Sequence, residues 1–194
     1  FTEHLGRNVY QGMWAQIVPN PEFARPECFG DAEGTERLRE RVASEFNAPA
    51  PSSRGDNAPL WWTSGDVAVE ATSEGGRDTQ TVTVGARGGT LATGVTPPLH
   101  RCRSLELTLR ARASTPATAR VSLTSLEGEV VCHAQIVLPS AWDDTTADLT
   151  APDAHADEPG TPYVLTFDLP AGTTVEFARA LLFPSDNMDG WEPE

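Results

Sequence analysis

The sequence predicts an all-β fold: a jelly-roll β-sandwich with a short helical insertion and an extended N-terminal lead-in. Three observations predict it. From Trp61 onward, short segments alternate apolar and polar residues. Glycine and proline turn signals separate these segments. Helical spacing occurs at one place in the chain. Many short strands with little helix are the mark of a sandwich, and the jelly roll is one of its common forms. The chain divides into a lead-in over 1–23, a loop and helix insertion over 24–60, the sandwich over 61–184 and an exit loop over 185–194.

In the insertion, Pro26, Pro49, Pro51 and Pro59 interrupt regular structure. Between them, Leu38, Val42 and Phe46 recur at i, i+4 and i+8, which places them on one face of a helix over Thr35 to Phe46. Thr35 is expected to cap it, with Glu36 in its first turn. Asp66 to Ala71 and Thr79 to Val84 alternate as strands. Ser104 to Ala113 sets Leu105, Leu107 and Leu109 on one face, with arginines and a threonine opposite. Ala119 to Leu126, Glu129 to Leu138, Tyr163 to Leu169 and Thr173 to Phe183 complete the set. Turns are expected at Glu74-Gly75-Gly76, Gly88-Gly89, Pro97-Pro98, Glu127-Gly128-Glu129, Pro159-Gly160 and Ala171-Gly172. Leu126 to Glu129 reads as a hairpin connection. The acidic stretch Asp143 to Glu158 reads as partly loop.

Composition narrows the partners. The 28 acidic residues outweigh 14 basic ones, and every basic one is arginine. A net charge of -14 argues against nucleic acid and against an anionic membrane surface. No run of 18 apolar residues occurs. An acidic, lysine-free surface matches a salt-loving source, because high salt screens its self-repulsion. The start at Phe1 fits a trimmed segment. Cys28, Cys102 and Cys132 lack metal-ligand spacing and read as buried free thiols, with Cys102–Cys132 as the alternative pairing. They do not assign a compartment; an extracellular location is favoured over a cytoplasmic one.

The two ends carry the most specific phrases. Glu3-His4-Leu5-Gly6-Arg7, followed by Tyr10, Gly12 and Trp14, resembles an opening phrase of the family 51 glycoside hydrolases, the α-L-arabinofuranosidases. Asn20 and Phe23 resemble the phrase that leads into that family's inserted sandwich. Trp62 with Gly65-Asp66, Gly94-Val95, Val121-Ser122-Leu123 through Gly128, and Ser140-Ala141-Trp142 resemble phrases within it. Leu182-Phe183-Pro184-Ser185-Asp186-Asn187 resembles the exit toward the catalytic barrel. Departures are Gln11, Gln16, Ala178 and the stretch Thr96 to His100, where an aromatic-rich loop is usual.

The resemblance implies the front end of a retaining glycosidase. Such an enzyme uses two glutamates about 5 Å apart, one as acid and base and one as nucleophile. In the family both come from later strands of a (β/α)₈ barrel. No catalytic residue is therefore assigned within residues 1–194. The implied partners are an arabinose-containing glycan and a downstream catalytic barrel. By the same resemblance, Glu3 accepts hydrogen bonds from sugar hydroxyls. The exit loop, with Asn187 and Trp191, borders that pocket, and Trp191 offers a stacking surface. Asp186 and Asn187 also suit a turn or helix cap.

Trp61 and Trp62 must face opposite sides of a strand. Trp62 is read as core and Trp61 as a sugar platform, the alternative being that Trp61 packs under the 24–60 insertion. Trp142 is expected to plug one end of the sandwich and Trp14 to pack between lead-in and sandwich. Arg54-Gly55-Asp56 is read as a chance tripeptide. No cofactor is expected, although acidic loops leave room for a structural calcium ion. A stand-alone carbohydrate-binding module and a sandwich that only braces a neighbouring domain are the competing readings.

Overall fold

The computed structural model describes residues 16–29, 31–49, 57–152 and 158–186. Eight strands form the body: β1 (Trp61–Glu74), β2 (Arg77–Val95), β3 (Ser104–Ala113), β4 (Ala117–Ser125), β5 (Val130–Leu138), β6 (Asp143–Thr150), β7 (Tyr163–Leu169) and β8 (Thr174–Pro184). All pairings are antiparallel, in the order β5-β4-β7-β2-β8-β3-β6, with β1 beside β2. The fold is the expected all-β jelly-roll sandwich.

One long strand joins the two layers. The first half of β2 pairs with β8 through Gln80–Thr83, and its second half pairs with β7 through Gly89–Val95. Strand β1 follows it around the bend, with a register shift between Gly65 and Val67. Layer one is thus β6-β3-β8 with the β1–β2 hairpin, and layer two is β5-β4-β7 with the opposite ends of β1 and β2. Gly88-Gly89 is not a chain reversal, as expected from its sequence, but the bend inside β2, where Gly88 takes a φ of 75°. A glycine pair relieves the backbone there as well as in a turn. The true hairpin turn is Gly75-Gly76, at φ 60° and 79°, the positive values that a two-residue connection requires.

Of the acidic stretch read as partly loop, Asp143–Thr150 is strand β6. It pairs with β3 and buries only Ala147 and Leu149. A half-buried edge strand of this kind needs few apolar residues, so its composition resembles that of a loop.

The core lies between the layers. Leu105, Leu107, Leu109, Ala111 and Ala113 of β3 face it, as the alternation predicts. Four rings meet in its centre: Phe23 stacks on Trp61 at 4.6 Å, and Phe167 and Phe177 complete the cluster at centroid distances of 5.7–6.3 Å. The lead-in contributes to this packing. Val18 and Phe23 are buried in the main core. Ile17 N–H donates to Leu182 O, Leu182 N–H donates to Gln16 Oε1, and Ala180 N–H donates to Pro21 O. Residues 16–21 thereby run along β8 beyond the point where β2 leaves it.

The helix of the insertion, α1, spans Ala32–Glu45, and its cap is Asp31 rather than Thr35. Asp31 accepts from Gly34 N–H at 2.8 Å. Thr35 lies inside the helix, buried, and donates to Pro26 O. The Phe46 side chain lies against Gly94 on the outer face of layer two. Val42 and Leu38 join Trp62, Leu60, Ala92 and Val164 in a second apolar cluster.

Cys102 and Cys132 are buried free thiols, while Cys28 is exposed, against expectation. Burial pushes the Cys132 thiol up to about 11. A thiol reagent at pH 8 should therefore titrate one cysteine quickly in the native chain and all three after unfolding. Three equally fast thiols in the native chain would contradict this packing.

Candidate functional site

The sequence offers four residues for substrate contact. Glu3, Asn187 and Trp191 lie outside the described residues. Trp61 is described, and it is not a platform: it is 1% exposed, between the layers, with its indole N–H donating to Asn20 O. The two tryptophans do face opposite sides, but with the sides exchanged. Trp61 pairs with Thr93 and Trp62 with Ala92, so Trp61 shares the inward face of β2 and Trp62 the outward one. The insertion then covers Trp62. Asn20 and Phe23, read from sequence as a family phrase, make the knot that holds Trp61. The Asn20 side chain donates to Ala24 O and Pro59 O and accepts from Ala24 N–H.

An open groove of about 740 Å³ crosses the outer face of layer one. Its lining includes Glu74 to Thr79 of the β1–β2 hairpin, Glu22 and Cys28 of the segment before α1, and Arg110, Trp142, Ala178 and Arg179. The arginines arise from strand alternation. With Leu109 and Ala111 turned inward on β3, Arg110 and Arg112 face outward. On β8 a bulge does the same work: the register shifts so that Ala111 faces Phe177 and Arg110 faces Arg179, leaving Ala178 as the extra residue. The bulge keeps Phe177 and Ala180 in the core while turning Arg179 out beside Arg110.

Trp142, just before β6, does not plug the sandwich end. It is half-buried at the groove wall, donates its indole N–H to Glu74, and carries the Arg112 guanidinium 4.8 Å from its ring centre. Arg112 also grips Glu176 in a bidentate pair at 2.8 Å and reaches Glu74 at 3.2 Å. The Glu176 hydrogen bond is the largest cause holding its pKa above the ordinary arginine value. Arg112 is thus a fixed support for the indole. Asp78 is engaged by Arg25 at 3.0 Å. Asp144 is shared between Arg110 at 3.6 Å and Arg179 at 3.3 Å.

The sequence displayed the outward arginines of β3 but not the partners that frame them. Trp142 is distant in sequence from every other groove residue, and the bulge at Ala178 reverses the alternation that would have placed Arg179. The exit segment leaves from the far end of β8: Arg179 to Pro184 is roughly 17 Å of strand. There Asp186 pairs with Arg101. Among the described residues no group of three or more His, Cys, Asp or Glu side chains is placed to hold a metal ion.

No family model matches the chain, and no curated protein matches it. Solved structures do. An arabinose-bound GH51 α-L-arabinofuranosidase is similar at 13% identity and a TM-score of 0.59, over 93% of this chain and 28% of that one. A CBM4 carbohydrate-binding module is similar at 18% identity and a TM-score of 0.50, over 74% of this chain and 98% of that one. The chain spans just over a quarter of the arabinofuranosidase's length. The likeness establishes a carbohydrate-binding-module-like jelly-roll fold.

Proposed function

We propose that this chain is the carbohydrate-binding segment of an α-L-arabinofuranosidase-type glycoside hydrolase. It supports hydrolysis of arabinose-containing polysaccharides and does not cleave them itself. The observation that carries the reading is the groove, with an indole on its wall and charged hydrogen-bonding groups around it. A sugar has apolar C–H faces and hydroxyl edges. An aromatic ring serves the first, and arginine and carboxylate groups serve the second. The outer face of layer two is partly covered by α1, whereas the groove on layer one is open. The likeness of 93% of this chain to part of an arabinofuranosidase supports the choice of parent enzyme.

Calorimetry with soluble arabinoxylan and arabinan tests the reading. Binding is expected, with a loss of roughly tenfold or more in Trp142→Ala at nearly unchanged melting temperature. Absence of binding to either polymer would favour a bracing sandwich instead. Release of nitrophenol from an aryl α-L-arabinofuranoside by the chain alone would overturn the non-catalytic assignment.

A further inference from the structure

The groove carries a feature that neutral sugars do not require. Arg110 and Arg179 are direct register partners on neighbouring strands, both facing outward. Like charges placed opposite one another across two strands destabilise a sheet. The arrangement is the more notable in a chain with 28 acidic residues and 14 basic ones. One carboxylate, Asp144, serves both guanidiniums, and neither contact is tight, at 3.6 Å and 3.3 Å. Arg179 Nε is buried without an acceptor. Two guanidiniums offer ten N–H donors, more than one carboxylate can satisfy.

The neighbouring acids do not supply the missing partner. Asp78 is held by Arg25. Glu74 and Glu176 are held by Arg112, and Glu74 also by the Trp142 indole. Glu22 and Arg77, both exposed on the groove, offset each other in charge. Two guanidiniums on one carboxylate leave one net positive charge at Arg110, Arg179 and Asp144, beside one net negative charge where Arg112 holds two glutamates. Arg112, two residues or about 7 Å along β3, supports Trp142, so the indole and the paired guanidiniums line the same groove.

We propose that the groove selects a glycan bearing a carboxylate, a uronic acid residue, with its carboxylate bridging Arg110 and Arg179 and the adjoining sugar against Trp142. This deepens the carbohydrate-binding reading and rests on it. A planar carboxylate matches the guanidinium fork in geometry as well as charge.

The test compares glucuronoarabinoxylan with the same polymer after carboxyl reduction, by calorimetry at about 0.15 M salt. The acidic polymer is expected to bind roughly 10- to 100-fold more tightly. Arg110→Gln and Arg179→Gln should each erase that preference while retaining binding to the reduced polymer. Arg120→Gln, the same charge change on the outer face of layer two, should leave the preference intact. Equal binding of the two polymers, still dependent on Trp142, would overturn the carboxylate proposal and leave carbohydrate binding standing. Preference retained in both arginine variants would overturn it as well. Binding of neither polymer would overturn both readings.

Discussion

Trp61→Ala is expected to destabilise the chain by about 3–5 kcal/mol, the usual cost of emptying a buried tryptophan site. For a domain of this size that corresponds to a fall in melting temperature of roughly 6–20 °C. The magnitude follows from position. The ring is 1% exposed, stacks on Phe23 at 4.6 Å and lies beside the Phe167 ring of its own layer, while Phe23 in turn meets Phe177 of the opposite layer. Its removal also leaves buried Asn20 O with only the long 3.5 Å hydrogen bond from Phe23 N–H in place of the indole N–H. Trp61→Phe separates the two contributions: it retains most of the packing and loses the hydrogen bond, for about 1–3 kcal/mol. Loss of glycan binding in Trp61→Ala would therefore report an unfolding core, and Trp142→Ala is the informative variant for recognition. A Trp61→Ala chain that melts with the parent would mean that the four-ring cluster does not hold the layers together.

Legibility followed how much each element depends on its neighbours. Strand β3 could be read residue by residue because one of its faces is fully buried and its alternation is unbroken. Strand β6 could not, since an edge strand that buries two side chains leaves no apolar rhythm. The long β2 read as one short strand, because the bend at Gly88-Gly89 carries the same residues as a turn. The tryptophan pair shows the limit most clearly. Alternation fixes that Trp61 and Trp62 oppose one another, while the side each takes depends on cross-strand register with Thr93 and Ala92. Burial of Trp62 under Val42 and Phe46 depends on a helix from another part of the chain. The groove is harder still to foresee, being assembled from the hairpin at Glu74, the arginines of β3, the bulge at Ala178 and the residue before β6. Each is ordinary in sequence, and only the sheet order makes them neighbours.

That sheet order depends on the bend, which makes Gly65→Ala the second large expectation. Gly65 pairs with Gly89 at the place where β1 and β2 pass from one layer to the other, and its φ is +88°. A Cβ there would stand 2.9 Å from Gly88 O and 2.9 Å from Gly89 Cα. Both are backbone atoms, so relief requires the paired strands to separate rather than a side chain to turn. The left-handed conformation alone costs about 1–2 kcal/mol for a residue with a Cβ, and crowding in a packed site adds about 1–3 kcal/mol. The sum, about 2–5 kcal/mol, is measurable by urea denaturation. Gly128→Ala supplies the control. Its φ is +89°, nearly the same, but nothing lies within 4 Å of its added Cβ. It should show the conformational cost without the crowding. Equal destabilisation of the two variants would mean that the close approach of β1 and β2 at the bend is not what Gly65 serves.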